Sequence, residues 1–349
     1  MSSSALDVRS LLRQAWQLRR DSDHRGMIAL LSGLPHGTLT VNLELAHLLS
    51  WGLREAGKFG RSLDLQLELE PLFRARGNDW LLRAWLLVAT GNHMHVGNAA
   101  LAEERALECL ELASRADDQY AIGWSANNLG AVFGYLGRSA EALVNFQRAA
   151  AANHRQGYLR GLAYAFHNIG GVFINRRDWN QALSSLDRAA DYSREMADPL
   201  LLYWHDVPRA EALLGLGDVD LAEALLLPAE AAFSRMEMRH QQANAVLLLA
   251  VCRRLRREYA AAHRDLARAL QLARQTGAGL FEAFVKMEIA LTEDAAGNTS
   301  NAVAAATEAR QLLLEFGSIF HFDLRLGQLS AGVRAQLEAA SGARSDSPP

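Results

Sequence analysis

The residues that could do chemistry in this sequence are few, and their spacing does not suit catalysis or metal binding. His93 and His95, in "GNHMHVGN", are two residues apart, whereas a zinc pair on a helix needs a spacing of i, i+4. His205 and Asp206 are adjacent, so on a helix they face apart and do not suit a catalytic dyad. We therefore predict that His93 is a packed histidine between helices.

Other short motifs lack residues that a catalytic or phosphate-binding motif requires. "GWSANN" lacks the second glycine of a nucleophile elbow, and "GAGLFE" lacks the Lys-Ser/Thr of a phosphate loop. Cys109 and Cys252 are the only cysteines, too few for a disulfide framework, and we expect Cys109 to be a buried structural thiol. The sequence thus predicts no catalytic residue, no metal and no cofactor, and favours a non-enzymatic protein.

Composition limits the class of protein further. The 349 residues are 50% hydrophobic and 21% charged, and their net charge of −3 gives no overall basic excess for nucleic acid. We find neither a signal-peptide h-region nor a membrane span, so we predict a soluble cytoplasmic protein without a membrane partner. Lys58 and Lys286 are the only lysines, which is typical of a GC-rich bacterial coding sequence. Abundant alanine and leucine, with few β-branched runs, predict an all-α fold.

A repeat of 40 residues runs through most of the chain. Rows that begin at Thr40 and at every fortieth residue align seven times without a gap. One column holds only small residues: Ser50, Thr90, Gly130, Gly170, Ala210, Ala250 and Ala290. The turn column reads Gly57, Gly97, Gly137, Arg177, Gly217, Arg257 and Gly297.

The columns have a physical explanation in paired antiparallel helices. Two helices of a hairpin approach closely only where a small side chain allows it, and Gly130 and Ala142 are such places. Phe133 and Phe146 fill the space between the helices, and the turn glycine ends the first helix in a left-handed conformation. One hairpin cannot bury its apolar face alone, so stacked hairpins are expected.

The segment "LGAVF", followed by Ala142 and Phe146, resembles the tetratricopeptide pattern L-G-x2-Y…A-x3-F, with 40 residues instead of 34. The longer form is similar to kinesin light chains, to bacterial Rap-type peptide receptors and to sensory arrays of bacterial regulators. The resemblance implies a right-handed tetratricopeptide-type α-solenoid of about seven helix pairs with capping helices. We predict a capping helix pair in residues 1–39, seven hairpins in 40–319, a capping helix in 320–340 and a disordered tail in 341–349.

In this family the first helix of each pair lines the inner face, and peptide-contacting positions lie on it. Mapped by column, they give seven candidates: Trp124, Asn127, Asn128, Tyr164, His167, Asn168 and Trp204. Asparagines at the positions of Asn128 and Asn168 contact ligand backbone in relatives, while aromatic rings cover apolar side chains. The rings could instead pack between helices and the asparagines cap local backbone groups, and the sequence leaves both readings open.

Two functions remain open at this stage. The resemblance favours an adaptor that binds a peptide or protein segment in the groove, in bacterial signalling or regulation, and it leaves a homodimer open. The alternative is a sensor or unusual enzyme in which the aromatic groove closes on a small molecule, with Glu44, His47 and His167 converging. Pro208 lies inside a first helix and should kink or split it, and a kink there could open a local pocket or change the superhelix pitch. Arg54 and Arg254 are too far apart in the sequence for the basic clamp that binds terminal carboxylates.

Overall fold

Helical hairpins, repeated along the chain, make up the computed structural model, which describes residues 7–21, 23–276, 279–315 and 320–342. The chain divides into two compact units, Met1–Gly157 and Tyr158–Pro349. The helices of unit 1 are α1 Val8–Arg20, α2 His24–Leu31, α3 His36–Val41, α4 Leu43–Glu55, α5 Phe59–Ala75, α6 Asp79–His95, α7 Ala99–Arg115, α8 Gln119–Tyr135 and α9 Ser139–Arg155. The helices of unit 2 are α10 Leu159–Asn175, α11 Trp179–Glu195, α12 Pro199–Leu216, α13 Val219–Arg235, α14 Arg239–Leu255, α15 Tyr259–Thr276, α16 Gly279–Ala295, α17 Thr299–Glu315, α18 Phe320–Leu326 and α19 Ala331–Gly342. The predicted all-α class is confirmed, since the described ranges hold helices and turns and no strand.

The helices keep a regular rhythm from α5 to α17. They begin at residues 59, 79, 99, 119, 139, 159, 179, 199, 219, 239, 259, 279 and 299. Before most of these starts, one residue takes a positive φ, and it is glycine at seven of the turns. Arg177 and Arg257 adopt the same conformation, at φ 59° and 63°, so the turn requires it even where glycine is absent. The sequence predicted this turn only between the two helices of each hairpin. The structure has it also between one hairpin and the next.

The small-residue column lies where two helices touch. A Cβ on Gly130 would stand 2.7 Å from the ring of Phe146, and a Cβ on Gly170 would stand 2.5 Å from Cγ of Leu186. Phe146 and Leu186 are themselves buried. The close approach that the sequence predicts at Gly130 is confirmed, and it explains why this column excludes larger residues.

Gly170 and Gly171 provide a test of that packing within one helix. Gly170→Ala should lower the free energy of unfolding by about 1–3 kcal/mol, because the added methyl group overlaps Leu186. The Cβ that Gly171→Ala adds has no neighbour within 4 Å. This variant should raise the free energy of unfolding by about 1 kcal/mol, the difference in helix propensity between glycine and alanine. Urea unfolding of the two variants measures both effects, and equal midpoints would contradict this account of the column.

The chain differs from the sequence prediction at both ends of the repeat. Three short helices, α1 to α3, stand where a helix pair was predicted, because Pro35 begins a third helix at α3. Two helices, α18 and α19, replace the single predicted one, because Asp294 holds Ser330 through its N–H and its hydroxyl at the start of α19. Residues 343–349, most of the predicted tail, lie outside the described residues. The division into caps and seven hairpins stays a prediction.

The helix α12 runs from Pro199 to Leu216 without interruption, although Pro208 lies inside it. Proline has no N–H to donate to the carbonyl oxygen of Trp204, one turn earlier. None of the helices in the described ranges has the length and apolar content that a bilayer crossing requires.

Candidate functional site

In unit 2, three of the predicted site residues come together on α10 and α12. Trp204 is 37% exposed, and the ring of Tyr164 contacts its ring edge-on at a centroid distance of 5.6 Å. His167, one turn after Tyr164, lies 5.9 Å from the ring of Trp204. Tyr164 and Trp204 occupy the same column one repeat apart, so a side-by-side contact is what repeated hairpins produce. Asn168, the fourth predicted residue in this unit, is half-buried on α10.

A histidine that the column alignment missed completes this group. Nδ1 of His205 lies 3.0 Å from Nδ1 of His167, so one ring donates a hydrogen bond and the other accepts it. His205 is fully buried, and its Nε2 has no partner among the described residues. The two histidines are 38 residues apart, two short of the repeat, which is why reading down a column does not pair them.

Burial keeps both histidines uncharged near neutral pH. It lowers the pKa of His167 to about 4. The pKa of His205 falls to about 3, first through burial and then through the nearby His167 and Arg209. Asp206 has a different partner, since its carboxylate accepts a hydrogen bond of 2.8 Å from Arg209. His205 and Asp206 thus face apart, as their adjacency predicted, and they form no dyad.

In unit 1, the predicted residues all lie on α8. Trp124 contacts Tyr120 at a ring-centroid distance of 6.3 Å, within its own helix. Asn128 donates a long hydrogen bond of 3.5 Å to the carbonyl of Leu87 on α6, while Asn127 is half-buried beside it. This bond agrees with the alternative that Asn128 caps a backbone carbonyl group. At 3.5 Å the bond is weak, so the amide could donate instead to a ligand acceptor at a shorter distance. That Trp124, Asn127 and Asn128 bind a ligand stays a prediction.

The residues proposed for a closed small-molecule pocket have other contacts. Oε1 of Glu44 accepts a hydrogen bond of 2.6 Å from the indole of Trp16, and Nε2 of His47 lies 3.4 Å from the guanidinium of Arg19. Arg19 in turn lies over the rings of Trp16 and Trp51, 4.9 Å from each. Burial, followed by the nearby charges of Arg19 and Arg54, lowers the pKa of His47 to about 3. Helix α1 therefore covers Glu44 and His47.

Two surface depressions also lie away from the candidates. The first, of about 310 Å³, is lined by Ser193, Arg194, Ala197, Asp198, Pro199 and Leu202. The second, of about 420 Å³, is lined by Gly217, Asp218, Val219, Asp220, Leu221 and Arg256. Both lie at turns between helices, and no predicted site residue lines either of them.

The remaining candidates from the sequence are packed or paired. His93 is only 5% exposed, whereas His95 stacks on Phe59 at 3.9 Å, so the two point to different surroundings. The thiol of Cys109 is buried, which raises its pKa to about 11, and it accepts a hydrogen bond from Ser125. In the part of the chain that the structure describes, no three metal-ligating side chains gather. Arg54 pairs with Glu55 and Arg254 pairs with Glu288, so each arginine already has an acidic partner.

Comparison with solved structures identifies the fold. No family model matches the sequence, and no curated protein matches it. Among solved structures, a Rap protein complexed with Competence and Sporulation Factor superposes with a TM-score of 0.70 at 15% identity, over 97% of this chain and 99% of that one. The fold is that of a tetratricopeptide-type α-solenoid.

Two further structures agree with that fold. The apo form of RapI gives a TM-score of 0.53 at 13% identity, over 88% of this chain and 86% of its own. A signal transduction ATPase with numerous domains from Pyrococcus horikoshii, which carries a tetratricopeptide repeat sensor, gives 0.59 at 14% identity over 90% of this chain and 48% of its own. At these identities the likeness establishes the fold, and the function must be argued from the residues of the site.

Proposed function

We propose that this solenoid binds an extended peptide or protein segment on the face formed by the first helices, and that it acts without catalysis. The observation that carries the proposal is the exposed ring of Trp204, with Tyr164 edge-on against it and the amide of Asn168 on the same helix as Tyr164. Exposed aromatic pairs mark interfaces because they bury a large area at little conformational cost. Half-buried amides beside them suit the alternating donors and acceptors of a peptide backbone.

We propose that two groups of residues contact the ligand. The group in unit 1 is Trp124, Asn127 and Asn128, and the group in unit 2 is Tyr164, His167, Asn168 and Trp204. The Rap protein that shares the fold was solved in complex with Competence and Sporulation Factor, which supports a peptide or protein partner for this chain by analogy. We also propose a bacterial regulatory role in the cytoplasm, through contact with another protein.

Replacing Asn128 and Asn168 by alanine tests the site. The double variant should lose most of its capture of a partner from native cell extract, by about tenfold, because two backbone-pairing amides contribute about 1 kcal/mol or less each. The measurement is mass spectrometry of captured proteins and small molecules, with the wild-type chain beside the variant.

A matched control separates this surface from the rest of the helices. Asn145→Ala with Asn180→Ala removes one amide from α9 and one from α11, which are second helices of their hairpins. We expect this control to capture the partner as the wild type does. Equal loss from both double variants, or no loss from either, would overturn the proposed site. A retained small molecule with no protein partner would instead support the pocket hypothesis.

A further inference from the structure

Helix α18 is anchored in unit 2 by an aromatic side chain. Phe322 is 3% exposed and packs in the apolar cluster that α16, α17 and α19 form around Met287. Leu326, one turn later, packs at the edge of the same cluster. The position of α18 against α16 and α17 is therefore set by burial, and the side chain of Arg325 is held with it.

The guanidinium of Arg325 reaches first-helix residues of two different hairpins. It lies 3.6 Å from the carboxylate of Glu211 on α12, and its carbon is 5.9 Å from the ring centroid of Phe284 on α16. These two residues occupy inner-face columns: Phe284 shares that of Tyr164 and Trp204, and Glu211 shares that of Gly171. Arg325 therefore lies over the same kind of surface on which the peptide site is proposed.

The charges at this place explain why a cation is held there. Burial raises the pKa of Glu211, Arg325 opposes the rise, and the nearby Glu288 adds to it. Glu288 is itself buried and pairs with Arg254. Arg325 thus supplies the charge that balances Glu211, and without it the surface would keep a half-buried carboxylate with a second acidic group nearby. Such a position attracts a cation, and the adjacent ring of Phe284 favours a guanidinium.

We propose that Arg325 occupies the place of an arginine side chain of the partner peptide, so that α18 competes with the partner inside the same chain. This inference rests on the proposed function and adds a ligand class to it. The partner would be an extended segment with an arginine at Glu211 and Phe284, and an apolar residue at Trp204. Binding of the partner would displace Arg325 from Glu211.

The distance between Trp204 and Glu211 on α12 sets the spacing of the apolar residue and the arginine in the partner peptide. Trp204 and Glu211 are seven residues apart on one helix, so they share a face at a separation of about 10 Å. A peptide in the extended polyproline II conformation rises about 3.1 Å per residue and has three residues per turn, so side chains three residues apart lie on the same side, about 9 Å from each other. A phenylalanine and an arginine with two residues between them fit this distance in either order.

Labelled hexapeptide pools test the competition. One pool carries phenylalanine and arginine separated by two variable residues, in both orders, and the other replaces arginine by citrulline, which has the same shape without the charge. Fluorescence polarisation measures their binding to the full chain as wild type, Arg325→Ala, Glu211→Gln and the control Arg334→Ala, which changes an exposed arginine on α19. Arg325→Gln serves as a second variant that keeps a long side chain, and circular dichroism verifies the fold of each protein.

We expect Arg325→Ala and Arg325→Gln to bind the arginine pool about tenfold more tightly than the wild type, with the citrulline pool unchanged. Glu211→Gln should bind both pools equally, and Arg334→Ala should match the wild type. Peptide binding without preference for arginine would overturn this inference while supporting the proposed function. If neither pool binds any variant, the inference is wrong, and the capture experiment on Asn128 and Asn168 then decides the proposed function alone.

Discussion

Arg254→Met should lower the free energy of unfolding by about 3 kcal/mol. Arg254 pairs with Glu288, whose side chain is 2% exposed, so the substitution leaves a carboxylate buried without its counter-charge. Removing one partner of a buried pair costs far more than the pair itself contributes, because the remaining charge has lost both water and its partner. The midpoint of urea unfolding measures the loss, and circular dichroism follows it.

Two further variants show whether the unpaired charge is the cause. In Arg254→Met with Glu288→Met, both charges are gone and the apolar side chains can pack, so most of the stability should return. Arg274→Met breaks the pair with Glu282, in which the arginine side chain is 58% exposed, and it should cost less than about 1 kcal/mol. A double variant as unstable as Arg254→Met would show that the arginine stabilises unit 2 by packing alone.

Acidification should destabilise the chain through His167 and His205. Their pKa values are about 4 and about 3 in the folded protein, below the unfolded value of about 6.5. The unfolded chain therefore binds more protons than the folded chain as pH falls below about 6.5, and stability falls with pH over that window. Each histidine contributes up to about 1.4 kcal/mol per pH unit until the folded pKa is reached. When both rings are protonated, both facing nitrogens carry a hydrogen and their hydrogen bond is lost.

A comparison of pH profiles isolates this pair from other acid-sensitive groups. His167→Leu with His205→Leu removes both titrations and keeps apolar volume in a buried place. The free energy of unfolding of this variant should fall less between pH 6.5 and pH 4.5 than that of the wild type, by about 2 kcal/mol or more. His154→Gln, which changes an exposed histidine on α9, is the control and should follow the wild-type profile. Parallel profiles for the wild type and the double variant would refute the assignment.

The sequence predicted the hairpins because their causes are local and repeat. A turn that needs a positive φ recurs at a constant interval, and Gly130 marks the point where two helices touch. Each requirement restricts the residue type at one position of the repeat, so an alignment of the repeats shows it. The contact between Tyr164 and Trp204 was also foreseeable, because these residues share a column in successive hairpins.

The polar contacts between hairpins were not foreseeable in the same way. His167 and His205 are 38 residues apart, Arg254 and Glu288 are 34 apart, and neither separation equals the repeat. The partner of a long side chain can lie up to about two turns along the neighbouring helix, and it then belongs to another column. Arg325 contacts Glu211 because α18 packs against α16 and α17. Helix α18 lies outside the 40-residue repeat, so the repeat could not predict this contact.

The constant interval between turns restricts how the length of such a chain can change. One residue deleted within a helix would rotate everything after it in that helix by about 100° and turn its apolar stripe away from its partner. Adding or removing a complete hairpin, from the start of α8 to the start of α10 for instance, leaves every remaining stripe in register. Duplication of whole hairpins therefore extends the chain without disturbing its core, and each added hairpin also adds one first helix, the kind of helix on which we propose that the ligand binds.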